Sequence, residues 1–67
     1  MRVQSILFDK DVWTVARAKA WLKRHGYRYG KVDETTQDFR FRQADPKQFT
    51  VFQTILFLGG ISAVVAR

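Results

Sequence analysis

There is no cysteine in this 67-residue chain, and only one histidine, His25. The first absence excludes disulfides and fits a reducing compartment. The second excludes a zinc site built from Cys and His. Long hydrophobic runs are missing as well. The longest, Ile55 to Ala66, spans 12 residues, is broken by Gly59-Gly60 and contains Ser62; a membrane helix needs roughly 20 apolar residues. The early apolar run Ile6-Leu7-Phe8 stops at Asp9, so no secretory leader is expected. These absences predict a soluble, intracellular protein with no membrane contact.

The parts of an active site are equally scarce. A serine nucleophile needs a base and a third group to orient that base. Ser5 and Ser62 fall in predicted strands, and His25 is the only imidazole. Asp9, Asp11, Asp33 and Glu34 have the chemistry to hold Mg²⁺, but Asp9-Lys10-Asp11 also reads as a turn before a helix, the commoner use of such a triplet. No glycine-rich phosphate loop is present, because Gly59-Gly60 links two predicted strands. The expectation is a non-enzyme without cofactor or metal.

What is present is apolar and basic. Six Phe, two Trp and two Tyr accompany many Val, Ile and Leu, which argues against disorder. A single domain over residues 1–67 is expected, of a size that buries only about 60% of its unfolded surface. Net charge is +6, from 12 basic and 6 acidic residues. The block from Arg17 to Lys31 holds Arg17, Lys19, Lys23, Arg24, Arg28 and Lys31 and no acid. Such a block is the electrostatic footprint of an anionic partner. It is also what a solvated helix face on a small soluble protein looks like.

Local signals predict the elements. Arg2 to Phe8 reads as a strand, ended by Asp9-Lys10-Asp11. Thr14 suits a helix N-cap, with Trp13 and Ala18 placed as a hydrophobic staple. Arg17 stands where a capping box would have Glu or Gln, and a cation there opposes the helix dipole. Local rules tend to be broken where a surface has a task. The helix is predicted from Val15 to Arg24 or His25, with Val15, Ala18 and Leu22 on one stripe and Trp21 beside it. Gly26 fits the left-handed residue that ends it, with Tyr27 supplying the contact behind; His25 reads as an ordinary last-turn residue. A short strand is expected at Tyr27–Tyr29, a clear one over Asp38–Gln43, and a helical turn from Pro46 to Phe49 capped by Asp45. The last two strands are Thr50–Leu58 and Ile61–Ala66, joined by a two-residue turn at Gly59-Gly60. The order β-α-β-β-β gives an α+β fold: a small, mostly antiparallel sheet with one helix packed on one face. Trp21 and Phe41 are expected in the core.

The segments TVARAKAWLKRHGY, KVDET, FRFRQADPKQF and TILFLGGISAVV, in this order and spacing, resemble a small bacteriophage and prophage module. That module often begins longer chains of the phage serine-protease class from the head-assembly region. The resemblance covers Phe8 to Val65. Its most specific parts are Trp21-Leu22 with His25-Gly26-Tyr27, and Phe39-Arg40-Phe41-Arg42-Gln43 with Asp45-Pro46 and Phe49. The protease chemistry belongs to a part this chain lacks. Arg17 and the apolar Phe57-Leu58 depart from the usual pattern and give a more basic, more apolar surface. The resemblance implies a phage-encoded protein of the host cytoplasm or the virion.

Two classes of binding function remain. The first is nucleic acid or another anionic partner, contacted through Arg17, Lys23, Arg24, Arg28, Arg40 and Arg42, with Tyr27, Tyr29 or Trp13 available for stacking on bases. Phe39 and Phe41 alternate with Arg40 and Arg42, so the two arginines share the outer sheet face about 6–7 Å apart. If helix and sheet cations occupy different sides of the molecule, only one set can be the site, and the helix set is preferred. The second class is a protein-interaction module: a phage assembly component, a homo-oligomer, or an inhibitor of a host nucleoprotein complex, using the apolar hairpin from Phe52 to Val65 as an open edge.

Overall fold

The computed structural model describes all residues 1–67. Strand β1 (Arg2–Asp9) leads into helix α1 (Val15–Arg24). Then follow β2 (Asp33–Glu34), β3 (Asp38–Arg42), one 3-10 turn (Pro46–Gln48), β4 (Phe52–Leu56) and β5 (Ile61–Ala66). All pairings are antiparallel, and the sheet order is β2-β3-β1-β5-β4. This is the α+β architecture expected. β1 is the central strand, and β2 and β4 are the two edges.

The helix ends where local chemistry says it should. Thr14 Oγ1 accepts a hydrogen bond from the Arg17 amide at 3.2 Å, satisfying one orphan donor of the first turn. At the other end Gly26 takes φ +78°. The Tyr27 amide then donates to Leu22 O and the Gly26 amide to Lys23 O, the paired bonds of a Schellman closure. Tyr27 lies parallel to Trp21, ring centroids 6.2 Å apart, and His25 covers the same indole at 4.1 Å.

Directly opposed residues in a sheet share a face. Ile6 opposes Phe41 and Ala63, and Phe8 opposes Phe39 and Ile61. That face meets the helix through Ala18 and Leu22, and Ile6, Phe8, Ala18, Leu22 and Phe41 form the buried core. Phe8 is its hub, in edge contact with Trp13, Trp21 and Phe41 at centroid distances of 5.0, 5.7 and 5.7 Å. Trp13 and Ala18, the expected staple pair, both enter this core.

Gln4 is the extra residue of a bulge in β1. Its side chain turns inward, where Nε2 donates to Ala44 O at 2.9 Å and Oε1 accepts from Ser5 Oγ at 2.8 Å. Its carbonyl accepts from the amides of Gln43 and Ala44. The two buried polar residues are thereby satisfied, and the chain leaving β3 is pinned to the sheet centre.

Four expectations are corrected. The short strand is Asp33–Glu34, paired with Arg40 and Phe39, because Tyr27 is consumed by the helix closure and Arg28 by bonds to the Gln43 side chain. β4 is shorter than Thr50–Leu58: the Thr50 and Val51 amides both bond to Arg67 O before the strand begins. The hairpin bond from the Phe57 amide to Ile61 O encloses Leu58 as well as the glycines, so the loop has three residues, with Gly59 and Gly60 at φ +80° and +78°. Trp21 is only half-buried, because the helix covers β3 and β1 and leaves the sheet open beyond it. Phe41 is fully buried, as expected.

Candidate functional site

The cations are divided by the sheet itself. Arg40 and Arg42 alternate with buried Phe41 and therefore lie on the face away from the helix, with Ser5 and Leu7 as cross-strand partners. Lys23 and Arg24 are exposed on the helix, on the other side of the sheet. Arg17 is exposed but committed: Nη1 donates to Val12 O at 3.0 Å, and the guanidinium lies 4.8 Å from the Trp13 ring centre. This contact gives the cation at the helix start a local structural task, one that explains the broken capping rule.

Arg40 is partly neutralised by Asp33, its cross-strand partner, at 3.9 Å. The remaining sheet arginine meets a different group. The Gln43 side chain clamps the loop after the helix: Oε1 accepts from the Arg28 amide and Nε2 donates to Arg28 O, both at 2.8 Å. The clamp brings Arg28, Tyr29 and Lys31 beside Arg42, around an open depression of about 670 Å³. Asp33 and Asp45 also line it, so its charge is mixed, three cations against two carboxylates.

The aromatic residues divide in the same way. Tyr27 is half-buried against Trp21 and the core. Trp13 is held by Phe8 on one side, and its Nε1 donates to Gly59 O at 2.6 Å. Neither ring is free to receive a base. Tyr29 is exposed and stands at the depression.

The most exposed apolar surface lies elsewhere. All five residues of β4 are exposed. The apolar patch along this edge wraps both faces of the strand, Val51, Ile55 and Phe57 on the helix side and Phe52 and Leu56 on the other, with Leu58 at the hairpin tip; Leu56 is at 81% and Leu58 at 95% of full exposure. The patch continues over the uncovered half of the helix-side sheet face as an all-apolar groove of about 450 Å³. Trp21 and Tyr27 wall one side, Phe57 and Leu58 the other, and Ile61 and Val65 lie between them.

The β4 edge is also open in its backbone. Val51 and Arg67 exchange both amide bonds, and the Phe57 amide bonds to Ile61 O. In an antiparallel ladder the bonded residues alternate, so Val51, Gln53, Ile55 and Phe57 face β5. The N–H and C=O groups of Phe52, Thr54 and Leu56 point outward. Edges are commonly protected by Lys, Pro or a bulge, and here no charged residue occurs from Gln48 through Ala66. That 19-residue uncharged stretch in a +6 chain was the sequence signal for this surface.

No cluster of three or more Asp, Glu or His side chains is placed to hold a metal ion, and no helix is long and apolar enough to cross a membrane. No protein-family model matches the chain, and neither the curated proteins nor the solved structures contain a match.

Proposed function

We propose that the protein is a non-enzymatic interaction module that pairs with a protein partner along the open edge of β4. One observation carries this reading: an edge strand with every residue exposed, its outward amides unpaired, and no charge on it or its neighbours. Strand addition uses such an edge, backbone bonds giving affinity and alternate side chains giving selectivity. A contiguous apolar patch on a small protein marks an interaction site more often than a solvated surface. A phage-type module would use it to join an assembly or to block a host nucleoprotein complex.

Immobilised protein exposed to cell lysate, with and without nuclease, tests the reading. Bound protein should persist after digestion, survive Lys23→Ala/Arg24→Ala, and be lost in Leu56→Lys. Capture that vanishes with nuclease and is indifferent to Leu56→Lys would refute it.

A second reading, an anionic partner such as nucleic acid, is favoured by the convergence of Arg28, Lys31 and Arg42 with exposed Tyr29. Three phosphate contacts would give a log–log salt slope of about −2 to −3. Titration of short single- and double-stranded DNA and RNA at low salt, with Arg28→Ala/Arg42→Ala as the control, measures it. Absence of binding to all four removes this reading.

A further inference from the structure

We infer that the protein partner of the β4 edge is a second copy of this chain, joined antiparallel about a two-fold axis through Thr54. The inference rests on the edge-pairing function proposed above and adds the identity of the partner. The register follows from the outward groups. Phe52, Thr54 and Leu56 are spaced two apart, so the arrangement that uses all of them sets Thr54 opposite Thr54 of the second copy and Phe52 opposite its Leu56. Three residue pairs with two bonds each make six intermolecular hydrogen bonds, and no outward group of β4 is left unpaired. A slip by one residue would oppose an outward-facing group to an inward-facing one.

The side chains agree with that register. Leu56 opposes Ser62, which opposes Leu7, so Phe52, Thr54 and Leu56 share the sheet face of Arg40 and Arg42. Phe52 of each copy then lies across from Leu56 of the other, an aromatic–aliphatic pair of the kind that stabilises sheets. On the helix side, Gln53 lies across from Ile55. The two sheets become one ten-stranded sheet, within the usual range of twisted open sheets.

Charge and area fit a second copy. Two +6 chains repel, but the contact strands carry no charge, and the block Arg17–Lys31 lies in the helix and the loop after it, outside the pairing strand. The apolar residues from Val51 to Leu58 expose roughly 600–700 Å² per copy over both faces of the edge and the hairpin tip, and strand pairing covers only part of it, less than the ~800 Å² per partner of a standard interface, so the contact is a weak one. A reversible dimer follows, with affinity that rises with added salt as the repulsion between the two bodies is screened. Nucleic-acid binding would change with salt in the opposite sense.

The experiment is sedimentation equilibrium on the full chain from about 10 to 500 µM, a range that brackets a reversible dimer, at two salt concentrations. Two variants are compared. Thr54→Pro removes an amide that points away from β5, so the fold stays, since proline is tolerated at such edge positions. Leu56→Lys places a charge at the pairing seam of an otherwise intact strand. The expected result is a dimer that strengthens with salt and whose dissociation constant rises at least ~10-fold in each variant. A monomer throughout the range would overturn the second-copy inference while leaving the lysate test of edge pairing intact. A dimer unaffected by either variant pairs through another surface and would also overturn the second-copy inference, the edge reading then standing or falling on the lysate test alone.

Discussion

Truncating Phe41 and truncating Trp21 should have different consequences, because only one of these aromatics is sealed in the core. Phe41 is fully buried, in edge contact with Phe8 and directly opposite Ile6. Losing roughly 150 Å² of buried apolar surface at ~25 cal/mol per Å² costs about 4 kcal/mol, within the 3–5 kcal/mol typical of Phe→Ala in cores. Trp21 has one side on the open groove. Water can enter the space its removal leaves, so the cavity cost is small and only part of the ring area is lost. About 1.5–3 kcal/mol is expected. A chain of this length has a total stability of roughly 3–10 kcal/mol, so Phe41→Ala unfolds the protein at 25 °C where the total lies below about 4 kcal/mol, and at any total it lowers stability more than Trp21→Ala. Phe41→Leu, losing about 1–2 kcal/mol, keeps the position measurable if the alanine variant does not fold. Urea unfolding followed by far-UV circular dichroism gives all three values. A Trp21→Ala loss equal to or above that of Phe41→Ala would refute the reasoning, since it would mean that the helix covers the groove and that β4 and β5 are not open on that side.

The hairpin glycines should also differ. Both have positive φ, but a Cβ at Gly60 would meet Val12 Cβ at 3.2 Å and Asp9 Cβ at 3.3 Å, whereas Gly59 faces open space; Gly59→Ala should cost about 1 kcal/mol and Gly60→Ala more, as read from thermal melts. Gln43→Ala should cost about 1–2 kcal/mol, with faster hydrogen exchange at the Arg28 amide that Gln43 Oε1 holds and loss of the Arg28–Arg42 juxtaposition. Thr14→Ala should cost about 0.5–2 kcal/mol through the lost cap, and Thr14→Ser should restore most of it.

The legible parts of the fold were those decided by neighbouring residues. Thr14 and Gly26 bracket the helix, because capping chemistry is local. The Phe39-Arg40-Phe41-Arg42 alternation assigned its two faces correctly, because strand periodicity needs no knowledge of the partner. Strand order was a different matter. That β1 sits centrally and β4 at the edge depends on pairings between residues as far apart as Arg2 and Ala66, which no local pattern encodes. Asp33–Glu34 is a strand only because β3 lies beside it. Trp21 is less buried than its place beside the apolar stripe predicts, because stripe position tells which way a side chain points, while burial depends on how far the opposing sheet extends under the helix.

The candidate site was hidden for a related reason. The sequence offers two sets of cations, on the helix and its following loop and on β3, and leaves open whether they share one side. The same alternation that sends Phe41 to the helix sends Arg40 and Arg42 away from it, so a helix packed on the Phe face must leave the helix cations and the sheet arginines on opposite sides. Arg28 escapes this division only through the Gln43 amide, a non-local contact with no signature in spacing. The β4 surface depends less on individual contacts. One short amphipathic helix, ten residues long, can cover two or three strands of a five-stranded sheet. The strands it cannot reach must be polar, or be covered by something else. Here they are uncharged and mostly apolar from Val51 through Val65, with Gln53, Thr54 and Ser62 the polar exceptions. A sequence that places its most apolar hairpin where its own helix does not reach leaves an uncharged apolar edge exposed, and an exposed apolar edge of this kind is the physical argument for the proposed protein partner.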